Sequence, residues 1–207
     1  MSQPTVGTDR ARPRQGGPRL ACVVTEVLAP APMAVGLLTL VAWHSATTTP
    51  RAVVAAAIAV LFGAVLPFGY LLLGVRRGSW ANHHVPAREQ RRRPLLVGLA
   101  SVLVGLALLM ALGAAREMLA LVGAMVAGLV VSVAITQVWK MSIHAGVAAG
   151  TAVILVLVYG PVAVVTWPFV ALVAWSRVAL GDHTLAQVTV GCAVGATVAG
   201  VVFSVLR

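Results

Sequence analysis

Three short polar stretches carry most of the groups in this chain that could do chemistry. The first runs His83-His84-Val85-Pro86-Ala87-Arg88-Glu89-Gln90-Arg91-Arg92-Arg93-Pro94, the second Trp139-Lys140-Met141-Ser142-Ile143-His144-Ala145. The third is Ser176-Arg177-Val178-Ala179-Leu180-Gly181-Asp182-His183-Thr184-Leu185-Ala186-Gln187. Guanidinium groups, an ammonium and hydroxyls together suit an oxyanion with three or four acceptor oxygens, because arginine meets phosphate in a fork geometry. Histidines beside them add groups that gain and lose protons near neutrality. A nucleophilic nitrogen with a separate proton donor is what cleavage of a phosphate ester requires. No Asp-rich magnesium site accompanies them, so positive side chains would stabilise the transition state. The pattern is that of phosphoryl chemistry without a metal.

These stretches lie in an apolar chain. Hydrophobic residues make up 60% and charged residues 10% of the sequence, far below the quarter or so that covers a water-facing surface. A hydrocarbon core of about 30 Å needs about 20 apolar residues per helix. Continuous runs, rather than alternating ten-residue segments, exclude the barrel alternative. The expectation is an all-α polytopic bundle of six to seven transmembrane spans, near 21–43, 52–75, 95–113, 117–138, 145–160, 162–180 and 186–206. A single straight helix over 145–180 would reach about 54 Å, so the chain must fold back there. Gly160-Pro161 and Trp167-Pro168 are the breakers that allow it. Gly146/Gly150 and Gly191/Gly195 have the spacing that lets helices approach closely in lipid.

Residues 1–20 are polar and carry Arg10, Arg12, Arg14 and Arg19, which reads as a disordered basic tail before a transmembrane domain over 21–207. With the tail inside, twelve of the fifteen Lys and Arg residues fall on its side, together with all three polar stretches. The positive-inside rule then faces the candidate site to the cytoplasm, most simply at the plasma membrane. Fifteen basic against five acidic residues would also suit nucleic acid. Aromatics at 5% and the lack of any nucleic-acid-binding motif argue against that partner. The bilayer and an anionic lipid are the partners expected, and a homo-oligomer is compatible with the sequence. Cys22 and Cys192 show no metal-ligand spacing and read as packing residues.

At these residues the chain resembles the type 2 phosphatidic acid phosphatase superfamily, whose helical core is shared with vanadium haloperoxidases. The resemblance covers roughly 86–190. Ser176, Arg177 and His183 match the third motif in type and spacing, Ser142 and His144 keep two residues of the second, and Arg93-Pro94 fits the end of the first. The first motif's Lys falls on Pro86, with Arg88 the nearest substitute, and the third motif's Asp is Gln187. The resemblance implies that His183 attacks phosphorus and forms a phosphohistidine, and that His144 protonates the leaving oxygen. It implies that Arg93 and Arg177 hold the phosphate, helped by Ser142 and by Lys140 or Arg88, and that no metal or other cofactor is used. Gln187 would orient the nucleophile without adding charge. Glu26, an ionisable residue inside the first span, is a second candidate for support of the site, with an ion pair to an arginine as its plainer role.

The expected activity is hydrolysis of the phosphate or diphosphate of a lipid, prenyl or phosphatidic acid-like, with the substrate entering from the bilayer. The competing expectation is a non-catalytic binder or carrier of lipid phosphates, which Gln187 and the incomplete first motif favour. A small-solute transporter would need polar residues or broken helices at mid-membrane, and the sequence offers little beyond Thr151 and the turn near Pro161.

Overall fold

The computed structural model describes residues 18–79, 90 and 92–207. Among these the chain is helical, with no strand. The first 17 residues of the expected tail, and Trp80, His83, His84, Arg88 and Arg91, lie outside the described residues. Helix α1 (Arg19–Val27) already includes Arg19 and Leu20, so the tail yields to helix slightly earlier than expected.

The first span is bent rather than straight. Helix α1 and α2 (Pro30–Ser45) meet at 41°. Pro30 has no N–H, and its ring opposes the carbonyl four residues back, so one helix cannot pass through it. The second span is continuous from Thr49 to Arg76, as α3 (Thr49–Val60), a π-helical turn (Leu61–Val65) and α4 (Leu66–Arg76). In the wide turn the Leu66 N–H bonds the Leu61 carbonyl, five residues back. It therefore bypasses the Phe62 carbonyl, and the Ser101 hydroxyl donates to that oxygen at 2.7 Å from a neighbouring helix.

Helices α5 (Arg92–Ala111) and α6 (Arg116–Val138) follow, each long enough to cross a bilayer. Helix α7 (Ile143–Tyr159) is shorter and ends at Gly160, whose φ of 79° only glycine adopts without strain. A 3₁₀ turn over Pro161–Thr166 reverses the chain into α8 (Trp167–Ala179), so the fold-back lies where the breakers indicate. Helix α9 (Leu185–Leu206) closes the bundle. Among the described residues five helices are long and apolar enough to span, the bent pair taken as one span makes a sixth, and α7 is a shorter apolar helix. In the spanning helices only 22–33% of the apolar window is buried within the protein. The remaining apolar surface, including Leu103, Val104, Val201 and Val205, would be costly in water and is at home against lipid. The chain is an integral membrane protein.

The ends of the bundle are identified by contacts between distant segments. At one end His44 meets Glu117 at 3.9 Å, Tyr159 Oη donates to the Leu40 carbonyl, and Arg116 Nε donates to the Leu206 carbonyl. At the other, Lys140 Nζ donates to the Asp182 carbonyl at 2.8 Å, and the Ser142 N–H donates to the Gln187 carbonyl at 3.1 Å. The second and third polar stretches therefore meet.

Glycines decide how closely. Helices α7 and α9 cross with Gly146 and Gly150 against Gly191 and Gly195. A Cβ on Gly191 would lie 2.5 Å from the Ser142 carbonyl oxygen, and one on Gly195 would collide with the backbone of Gly146. No larger residue allows this approach, which sets the starts of α7 and α9 side by side.

Candidate active site

His183 sits between α8 and α9, 6% exposed, and its environment selects its tautomer. Gln187, one turn into α9, forms a reciprocal cap with Thr184: the Gln187 N–H donates to Thr184 Oγ1, and the Thr184 N–H donates to Gln187 Oε1 at 3.2 Å. Because a backbone N–H donates to it, that side-chain atom is the carbonyl oxygen. The same oxygen lies 3.1 Å from His183 Nδ1. Two acceptors cannot bond each other, so in the neutral ring Nδ1 carries the proton and the lone pair is on Nε2. Gln187 thus holds the His183 ring by its Nδ1 edge.

The loop carrying His183 is set by the end of α8. Gly181, at φ 68°, ends the helix with the Gly181 N–H on the Val178 carbonyl and the Asp182 N–H on the Arg177 carbonyl. This paired closure satisfies carbonyls that a helix end leaves open. It also swings Asp182 back over the helix, where Oδ2 meets Arg177 Nη2 at 2.8 Å. Arg177 is 2% exposed, so its charge is held by this partner rather than by water. Its Nη1 donates to Thr25 Oγ1 at 3.3 Å, Thr25 and Ser176 hydroxyls lie 2.9 Å apart, and Ser176 Oγ donates to the Val173 carbonyl at 2.8 Å. With the Ser176 proton committed to Val173, Thr25 donates to Ser176 and accepts from Arg177. One directed chain of hydrogen bonds fixes the guanidinium.

His144 lies in the first turn of α7 and is 8% exposed. His144, Arg177 and His183 line a single cavity of about 330 Å³, together with Met141, Ile143, Pro94 and Leu95 near the same end. Three helices, α5, α7 and α9, begin at this end of the bundle. The positive ends of their dipoles add to Arg177 and favour an anion there.

Not every expected phosphate ligand is on this wall. Arg93 is exposed, in the first turn of α5, and lines a separate recess with Tyr70, Arg77, Ser79 and Gln90, while the adjacent Pro94 and Leu95 face the cavity. Successive residues of a helix point about 100° apart, and here that step turns Arg93 toward the separate recess while Pro94 and Leu95 line the cavity. Ser142 is fully buried and serves as the N-cap of α7, accepting from the Ala145 N–H at 3.4 Å, and it is not a cavity-wall residue. Lys140 bridges the two loops through Asp182. Arg88 lies outside the described residues. Glu26 is exposed on α1 and does not line the cavity; its neighbour Thr25, 1% exposed, accepts a hydrogen bond from Arg177. Thr25 and Asp182 are the supports that sequence reading missed. A lone buried Thr has no sequence signal, but an Arg, three residues, Gly, Asp pattern at a helix end is a usable one. No known family, curated protein or solved structure matches this chain.

Proposed function

We propose that this protein is a membrane phosphatase that removes the phosphate or diphosphate of a lipid through a phosphohistidine. The observation that carries the reading is that His144 lines the same cavity as Arg177 and His183, which come from a separate stretch of the sequence. The Nε2 lone pair of His183 forms the P–N bond as the bond from phosphorus to the leaving oxygen breaks, and His144 gives that oxygen its proton. Water, deprotonated by His144, then attacks phosphorus and displaces His183. Arg177 lines the same cavity, and its positive charge neutralises the equatorial oxygens. As the resemblance implies, the scheme uses no metal. The basic ends of the helices favour a site facing the cytoplasm.

Phosphate release by purified protein from prenyl phosphate, prenyl diphosphate and phosphatidic acid tests this. The wild type should turn over at least one of them, His183→Ala should abolish turnover, and His144→Gln should slow it roughly 10²- to 10⁴-fold. Release that survives His183→Ala refutes the mechanism. Gln187 gives the nucleophile a neutral partner where a carboxylate would stabilise a cationic ring, and this favours a second reading, a binder of lipid phosphates. Saturable binding with no release from any of the three lipids supports that reading instead.

A further inference from the structure

The cavity that holds His144, Arg177 and His183 is much deeper than a phosphate needs. From His144 it follows α7 to Ile154, ten residues further on, which is a depth of about 15 Å at helical rise. That is half the hydrocarbon thickness of about 30 Å, the reach of one leaflet's chains. Beyond the polar end its walls are apolar, with Leu37, Val102, Met125, Leu129 and Val198 among them, apart from the hydroxyl-bearing Ser132 and Thr151.

Small residues and a backbone irregularity hold the space open. Gly63 and Ala64 come from the π-helical turn, and Pro67 follows it. A Cβ on Gly128 of α6 would meet nothing within 4 Å, so this wall is bare backbone. An apolar void forfeits dispersion contacts on every wall, and a fold that keeps one open is stabilised by an apolar guest.

From this we infer that the cavity is a tail site, in which one hydrocarbon chain of a single-chain lipid phosphate lies inside the bundle with its phosphate at His144, Arg177 and His183. The inference rests on the phosphate end proposed above and adds to entry from the bilayer a place for the tail. One chain is specified by volume: about 330 Å³ is at the small end of ligand pockets, which run from about 300 to 1,000 Å³.

The test is binding of dodecyl phosphate bearing a diazirine at its methyl end, with butyl phosphate and a diacyl phosphatidic acid as comparisons. His183→Ala protein is used so that cleavage plays no part. The photoprobe should label interior residues of α6 and α9, near Gly128 and Val198. Gly128→Leu puts a side chain into space the tail would fill, and the overcrowding should weaken dodecyl phosphate roughly tenfold or more while leaving butyl phosphate as it was. Gly36→Leu makes the same change on the outer surface, where a Cβ also meets open space, and should leave binding as it was. Labelling confined to outward residues such as Val104 or Val201 overturns the inference, and this outcome does not depend on how the variants fold. Binding of butyl phosphate with no gain for dodecyl phosphate overturns the tail site and leaves the phosphate end standing. Binding of neither removes both.

Discussion

Replacing Gln187 by Glu probes the nucleophile without disturbing the fold. The two side chains have the same length, so the acceptor oxygen stays 3.1 Å from His183 Nδ1 and 3.2 Å from the Thr184 N–H. What changes is charge. A hydrogen bond to a neutral carbonyl contributes about 1 kcal/mol and one to an ionised group about 1.5–3 kcal/mol. As the ring takes on positive charge on attacking phosphorus, the carboxylate should stabilise the transition state by about 1 kcal/mol more, which is roughly fivefold in turnover. Gln187→Leu removes the acceptor from both donors, at about 1–3 kcal/mol, and should slow turnover roughly ten- to a hundredfold. Stability separates these effects from misfolding. Glu is the preferred partner of Thr in this reciprocal cap, and an acidic residue in the first turn of a helix stabilises by about 0.3–1 kcal/mol. Gln187→Glu should therefore unfold at the same temperature as wild type or slightly above it. Phosphate release in detergent micelles and thermal unfolding of the same preparations are the two assays. A Glu variant that is folded and no faster, beside a Leu variant that is folded and no slower, would show that Gln187 only caps α9.

Substitutions elsewhere test the scaffold. Asp182→Ala leaves the buried Arg177 guanidinium without its carboxylate and should cost about 3–5 kcal/mol, seen as a clear fall in the thermal midpoint; an unchanged midpoint contradicts the pairing. Gly191→Ala drives a methyl into the Ser142 carbonyl and should destabilise by about 1–3 kcal/mol while impairing turnover, whereas Gly36→Ala, facing open space, should do neither. Ser101→Ala removes the donor to the Phe62 carbonyl and should cost about 1 kcal/mol, read by denaturation in micelles, with Ser101→Thr retaining most of the stability.

The spans were legible because lipid imposes a local rule: every backbone polar group must be satisfied within its own helix, so apolar runs of sufficient length declare themselves. The fold-back at Gly160 and Pro161 was legible for the same local reason. The bend at Pro30 was written there too, inside the single span expected over 21–43. The Gly146/Gly150 and Gly191/Gly195 pattern indicated close packing but not its partner, and only the folded chain shows that the two pairs pack against each other.

The residue types of the site were likewise present in sequence, since His144, Arg177, His183 and Gln187 stand at recognisable spacings. Which of the candidates share a cavity was not. Side-chain direction depends on how each helix is rotated about its axis, and that rotation is decided by packing against neighbours remote in the chain. So Arg93 faces outward beside an inward Pro94, Ser142 is consumed as a cap, and Thr25, which has no signal of its own in the sequence, meets the guanidinium. The interior cavity is still less local. It exists because helices from most of the chain leave space between small residues, and no segment by itself encodes an absence of atoms.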